Sequence, residues 1–455
     1  MRLIARYAKE LKNTFEIVTV WDEIIEKEQV SKENPCIKTL TKSHPSAIWF
    51  ERKIHDDFGI IIEDAFDNRP LVAQERFPKS VYPMRKSFQE KNIDFADYHP
   101  YKYEAIGGDG VFEVAVGPIH AGIIEPGHFQ FSQAGEDILH QEVRHFYKHR
   151  GIEKMLETKT LFEAKPIIER ISGNESIAYQ LCWRDIVLKA TKSKLPENNR
   201  KYHALLLELE RTIHHLTDLG FIPNDAGFGA ALAYASKLSE EARRHLLTIA
   251  GHRFGFGAID FKSHKLDTEA LKHYLDTLEE AINFFETWII DIPSLWDRFD
   301  TTGILKKRKA VKYDAVGVIA RASGLKLDCR ENDFYHTHGF KIQGQTSGDV
   351  SARFKVRLDE VKNSIEMMRN FSVETCEEVS LNSINNGVYS AFSESSIGET
   401  YMSIEIKEGK IERFFMRDPS FINWQVLHLM MPGNIIADFP LINKSCDLSY
   451  AGNDL

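Results

Sequence analysis

Ile168-Glu169-Arg170-Ile171-Ser172-Gly173-Asn174-Glu175-Ser176 and, near the other end of the chain, Arg417-Asp418-Pro419-Ser420-Phe421-Ile422-Asn423 decide how this sequence is read. Each sets two polar residues three positions apart behind a charged lead-in: Ser172 and Glu175 in the first, Ser420 and Asn423 in the second. Neither stretch holds a cysteine. The chain's five cysteines, Cys36, Cys182, Cys329, Cys376 and Cys446, are scattered and form no C-x-x-C pair. They give no zinc or iron–sulfur signature and fit a reducing compartment.

The 455 residues leave room for two or three domains around a large core. A content of 43% hydrophobic and 27% charged residues is ordinary for a globular protein. The net charge of -9 argues against nucleic acid as a partner. The first ten residues, Met1 to Glu10, lack the apolar run of a signal peptide, and no apolar stretch of about 20 residues exists to span a bilayer. Membrane association is therefore expected only through partners.

Residues 1–95 read as a small α+β unit. Phe15 to Trp21 alternates in part like a strand, and Trp49 to Phe58 mixes charged and apolar residues at helical spacing before Gly59, a natural helix stop. From Asp94 to Ala105 the chain is polar and carries Tyr and Pro, as a linker does. Residues 105–455 form the second unit. Val111 to Val116 alternates with period two, and Gly117 to Phe129 is a turn-rich hairpin. The middle is helical: Leu205, Leu209, Ile213 and Leu216 recur at helical steps, Asp267 is placed to cap a helix carrying Leu271, Leu275, Leu278, Ile282 and Phe285, and Arg353 to Phe371 is amphipathic. The expected architecture is α+β: a small N-terminal α+β domain, then a mainly helical bundle with small sheets.

The wording of several motifs carries a family resemblance. Glu51-Arg52-Lys53-Ile54-His55-Asp56-Asp57-Phe58-Gly59 resembles the E-R-E-x-x-D-x-F-G signature of the 30-kilodalton subunit of respiratory complex I, with Lys53 in place of the second Glu. Tyr82 to Phe88 resembles the P-L-R-K-x-F that closes that module. Gly117 to Phe129 resembles the G-P-x-H-A-G-I-I-E-P-G-H-F of membrane-bound hydrogenase large subunits. His149-Arg150-Gly151-Ile152-Glu153-Lys154 resembles the H-R-G-x-E-K shared by those hydrogenases and the 49-kilodalton subunit of complex I. Gly251 to Phe254, Ala320 to Gly324, Ser347 to Asp349 and Asp438 to Ser445 extend the likeness. The chain is thus similar to a fused 30/49-kilodalton-type subunit of the energy-converting hydrogenases, the class of formate hydrogenlyase and hydrogenase-4.

The stretches around Ser172 and Ser420 then resemble R-x-C-G-x-C and D-P-C-x-x-C, the cysteine pairs that hold nickel and iron in that family. All four cysteine positions are replaced, by Ser172, Glu175, Ser420 and Asn423. A nickel–iron centre needs soft thiolates; two hydroxyls, one amide and one carboxylate do not supply them. The resemblance also places Ile397 where the family's active-site Arg stands and Tyr179 where a His follows the first pair. No nickel–iron centre and no hydrogen turnover are expected. The quinone-site Tyr of complex I falls at Gly173 and its His partner at Ile124, so a quinone would need a remodelled cavity, with His120, His128 and Tyr179 as candidates.

Other matched positions persist. Glu125 stands at a proton-passing carboxylate of energy-converting hydrogenases and Asp225 at an acid of the complex I cavity, which makes them relay candidates; a buried carboxylate has the raised pKa that relay needs. Arg150 and Arg253 match residues near the iron–sulfur cluster of the neighbouring small subunit. The resemblance implies a peripheral oxidoreductase subunit of a membrane-bound complex I-like assembly, on the cytoplasmic face, coupling electron transfer to ion translocation. Its implied partners are an iron–sulfur small subunit of complex I 20-kilodalton type and antiporter-like and heel subunits in the membrane. The alternative is a non-catalytic structural subunit of the same assembly. An open cavity around Glu125, Ser172, Glu175, Tyr179 and Asn423 would favour the first, and a plugged one the second.

Overall fold

The apolar periodicities translate directly into elements. The computed structural model describes residues 1–88, 93–120 and 124–455. Strands Leu3–Glu10, Thr14–Trp21 and Ile25–Ser31 form an antiparallel sheet, and helix Ala47–Phe58 packs on the first of them. That helix ends where Gly59 enters the left-handed region at φ 69°, which a glycine adopts without a Cβ penalty. The short strands Cys36–Lys38 and Ile61–Glu63 pair in parallel beside it.

The larger unit combines a helical bundle with two three-stranded antiparallel sheets and one two-stranded sheet, His264–Lys265 with Thr375–Cys376. Val111–Val116, His128–Ala134 and Asp137–Arg144 make one three-stranded sheet; Gly387–Glu394, Glu399–Lys407 and Lys410–Arg417 make the other. The Gly117–Phe129 hairpin joins the first two strands, and residues 121–123 of it lie outside the described residues. The bundle is made by helices Ser176–Thr191, Glu197–Asp225, Gly229–Ala250, Thr268–Ile290 and Val350–Asn370, the first of which packs on the Gly387–Glu394 strand. Asp267 does cap its helix, accepting the Ala270 N–H at 3.0 Å, and Leu271, Leu275, Leu278, Ile282 and Phe285 all face the core. The α+β reading and the helical bundle hold.

The N-terminal domain packs directly on the larger unit and shares core with it. Ala8, Phe15, Ile17, Ile37, Ile54 and Phe58 form a small cluster of their own, but the opposite side of the same elements belongs to the main core. Trp49 and Phe50 meet Phe421, with ring centroids 5.7 and 4.8 Å apart, and Tyr7 stacks on Phe415 at 4.2 Å. Arg413 and Arg417 of the C-terminal sheet donate to the carbonyls of Ala8 and Ile4, both at 3.1 Å. Strand Leu3–Glu10 has apolar residues buried on both faces, as a strand covered on both sides does.

Lys53 is part of this seam. Its ammonium lies 2.6 Å from Asp57 and 3.4 Å from Glu153, and Glu153 also takes Arg413 at 2.9 Å. All four side chains are buried, so two cations and two carboxylates balance inside the joint between the segments. Replacing Lys53 by the Glu of the related signature would leave three carboxylates around one Arg. Lys53→Glu is expected to destabilise the chain by about 3–5 kcal/mol in urea unfolding, and Lys53→Met by less. Equal stability of Lys53→Glu and the parent would contradict this charge balance.

Candidate functional site

Residues 168–176 and 417–423 meet in the interior. Helix Ser176–Thr191 starts just after Glu175, and its first N–H groups are served from a neighbour. Glu210 on helix Glu197–Asp225 accepts from Ile177 N at 2.7 Å and Ala178 N at 3.0 Å. Asp418 caps helix Pro419–Leu427 by accepting the Ser420 N–H at 2.7 Å. These caps fix Glu175 and Tyr179 on one element and Asp418, Ser420 and Asn423 on the other.

Between them lies a closed polar cluster. Tyr179 Oη is 2.7 Å from Glu175 Oε2 and 2.6 Å from Asp418 Oδ2, and Ser395 Oγ donates to Glu175 Oε1 at 2.5 Å. All four residues are buried. A phenol has one proton and cannot donate to two carboxylates at once, so one carboxyl must itself be protonated. Burial and the adjacent Asp418 push Glu175 well above its ordinary 4.5, which makes Glu175 the carboxyl of the pair that keeps its proton. Tyr179 is likewise pushed up by burial and by both carboxyls, and it stays a phenol.

The positions that hold cysteines in the resembled family are engaged elsewhere. Ser172 Oγ is 3.0 Å from Ser449 Oγ, and Ser420 Oγ accepts the Ser449 N–H at 2.9 Å. Asn423 uses both ends of its amide on the Val316 backbone, at 3.1 Å each. Ile397 is buried beside them. With no thiolate present and every oxygen donor already in a protein hydrogen bond, these residues do not fit a nickel–iron centre. No group of three or more His, Cys, Asp or Glu placed to hold a metal occurs among the described residues.

The site is covered by the short helix Tyr450–Asp454. Gly452 sits against the triad: a Cβ there would lie 2.4 Å from Asp418 Oδ2 and 2.9 Å from Tyr179 Oη, so the close approach needs a glycine. Arg150 fastens this helix by donating to Ala451 O at 2.9 Å and to Ile171 O at 2.8 Å. Glu125 holds it from another side, accepting the Ala451 N–H at 2.9 Å and pairing with Lys148.

The sequence candidates therefore divide. Tyr179, Glu175, Ser172, Ser420 and Asn423 do converge. Glu125 is a half-exposed ion-pair partner, without the burial on which the relay argument rests. Asp225 ends its helix, its pKa raised by partial burial, with Asn224 as neighbour at 3.3 Å. His120 and His128 brace the hairpin through Gly127 O at 2.7 Å and Gly117 O at 3.1 Å. Arg253 is exposed and paired with Glu240, whereas Arg150 is partly buried at the closing helix. Sequence reasoning missed Ser395 and the covering helix; Ser395 lay in view beside Ile397, but only the fold brings it to Glu175. The site is neither an open cavity nor an apolar plug. It is filled by hydrogen-bonded polar side chains.

Comparison with known proteins places the fold and the sequence among relatives. The family model for the 30 Kd subunit of respiratory-chain NADH dehydrogenase matches residues 4–93, and that for the 49 Kd subunit matches residues 225–386. Formate hydrogenlyase subunit 5 of Escherichia coli (strain K12) is 27% identical over 94% of this chain and 78% of its own length. Hydrogenase-4 component G of the same organism is 26% identical over 95% and 78%. One NADH-quinone oxidoreductase subunit, from Dehalococcoides mccartyi, is 28% identical over 74% of this chain and 96% of its own length. Among solved structures, a chain of the membrane-bound sulfane sulfur reductase, an archaeal respiratory membrane complex, shares the fold with a TM-score of 0.70 and 20% identity, over 76% of this chain and 99% of that one.

The protonated acid has a measurable signature. A folded-state pKa above the unfolded 4.5 means that, as pH rises past 4.5, the unfolded chain releases a proton that the folded chain keeps, so stability falls with rising pH. Glu175→Gln keeps the neutral shape and removes that proton. Its stability should fall less steeply above that pH, the slope differing by about 1.4 kcal/mol per pH unit in urea titrations. An unchanged slope would show that Glu175 is ionised in the folded protein.

Proposed function

The chain is a fused 30/49 Kd-type subunit homologous to formate hydrogenlyase subunit 5 and hydrogenase-4 component G, and we propose that it serves as a peripheral subunit of a membrane-bound complex I-like assembly that couples electron transfer to ion translocation without hydrogen turnover. The observation that carries this reading is the pairing of a retained family frame with a former metal site filled by Glu175, Tyr179, Asp418 and Ser395. Thiolates are the chemistry that a nickel–iron centre needs, and this chain offers none there.

In this reading the redox centres belong to partners. Electrons arrive through an iron–sulfur cluster in a small subunit of complex I 20-kilodalton type. Antiporter-like and heel subunits supply the membrane part. No helix among the described residues is long and apolar enough to cross a membrane; in this reading the chain is attached through those partners, at the cytoplasmic face. The terminal acceptor is a quinone-like molecule or another oxidant of that class. A second reading, a structural subunit that transmits conformational change, is favoured by one specific observation. Glu125, Ser172, Glu175, Tyr179 and Asn423 are all engaged in protein contacts, and all but Glu125 are buried.

The experiment is purification of the native complex from membranes, with metal content, hydrogen production and cluster redox kinetics measured on one sample. The expected result is iron–sulfur clusters that are reduced by a donor and reoxidised by a quinone analogue, with no hydrogen evolved and no stoichiometric nickel. Clusters inert to every quinone analogue in an intact complex would select the structural reading. Stoichiometric nickel in this subunit would overturn both.

A further inference from the structure

A second buried cluster lies next to the first. Four carboxyl groups, Glu208, Asp328, Glu360 and Glu394, and three guanidinium groups, Arg211, Arg321 and Arg330, are interlinked at almost zero exposure. Arg321 holds Glu360 at 2.7 Å, Glu394 at 2.7 Å and Asp328 at 3.1 Å, and Arg330 holds Asp328 at 2.7 Å and Glu208 at 3.0 Å. His215 adds no charge: burial lowers its pKa to about 4, although its Nε2 lies 2.9 Å from Glu360. Four acids face three cations. A desolvated group of this kind resists a net charge, so one of the four acids is protonated.

Geometry selects Glu394. Asp328 and Glu360 are each gripped by two Arg side chains, and Glu208 takes Arg330 with both of its oxygens. Glu394 has one cation, Arg321, on Oε1; its Oε2 accepts only the Cys329 N–H at 3.1 Å. It also lines a cavity of about 220 Å³ whose wall includes Ala204, Leu207, Asn332, Phe334 and Ser393. The charged side chains of that wall are Arg184, Asp185, Arg200 and Arg330, and Cys329 adds a thiol; across the strand pair Glu394 faces Glu399. The Ser393 hydroxyl in this wall, with His215 Nδ1, Thr212 Oγ1 and Ser396 Oγ further in, has no protein partner. Buried polar atoms of this kind are positions for internal water. On the inner side, the next residue is Ser395, which donates to Glu175.

We propose that Glu394 is a proton-exchange site that takes its proton from solvent through this cavity and presents it to the interior beside the Ser395–Glu175 contact. Protonation adds one proton from a cavity water to Oε2 of the carboxylate, brings the cluster to neutrality and leaves the Arg321 pairs to Glu360 and Asp328 in place. Release returns the proton to water along the same path. Burial and the nearby Asp328 raise the pKa of Glu394 to about 7, so both states are populated near neutrality. The ligand of the site is the proton itself, and the inference stands whether or not the assembly reduces a quinone.

The test uses the purified full-length chain and the infrared carbonyl stretch of protonated carboxylic acids. Asp218 and Glu210, with values of about 7 and 8, titrate in the same range and remain in every variant, so the readout is the difference between variants. Glu394→Gln should remove one near-neutral component and Glu394→Asp should retain it. Ala204→Trp, at a wall position outside the ion cluster, narrows the cavity and should slow deuterium exchange of that carboxyl at least tenfold while the near-neutral component remains. Full near-neutral amplitude in Glu394→Gln would overturn the assignment of the acid. Unchanged exchange in Ala204→Trp would overturn the cavity as its route. If Glu394→Gln does not fold, loss of the component from Glu394→Asp would serve as the overturning result.

Discussion

One phenolic proton stands between two buried carboxyl groups. Tyr179 can satisfy Glu175 and Asp418 together only if one of them keeps its own proton, and that condition shapes everything around it. It requires a dry site, because water would ionise Glu175. It requires the Ser395 hydroxyl on the far oxygen of Glu175, and a glycine at 452 so that the covering helix can come close. In a metal-bearing relative of this fold, four thiolates and a metal would join the same two chain segments. Here a hydrogen-bonded acid cluster joins them.

The same logic of buried charge extends outward. Lys53 replaces an acid in its motif, and its new partners, Asp57 and Glu153, show that the exchange is compensated across the joint between the two segments. The Arg211, Arg321 and Arg330 cluster is the opposite case, with one acid more than its cations can neutralise. Such groups are weak sources of net stability, because desolvation offsets much of the attraction. They are strong constraints on arrangement, since removing a cation or a carboxylate paired with one strands a buried charge.

Much of the fold was legible in the sequence. Period-two alternation located Val111–Val116, helical spacing located Thr268–Ile290 and its Asp267 cap, and Gly59 marked a helix end, because these signals are local. How residues 1–95 dock on the rest was not legible, because the polar run after Asp94 says nothing about which faces of strand Leu3–Glu10 are covered. At the site, the paired positions Ser172, Glu175, Ser420 and Asn423 could be read from the family resemblance. Their hydrogen-bond partners could not: Ser395, Ser449 and Val316 lie far away in sequence and are brought in only by tertiary packing. Glu125 shows the converse. Its motif is kept almost letter for letter, yet its side chain is half-exposed and tied to Lys148 and the Ala451 backbone.

The most direct measurement is a high-resolution density map of this protein within its native membrane complex, inspected between residues 172, 175, 420 and 423. The account requires side-chain density for Tyr179 in hydrogen-bond contact with both Glu175 and Asp418, with the Tyr450–Asp454 helix seated over them. A metal-strength peak coordinated by Glu175 and Asp418, with Tyr179 displaced, would contradict it.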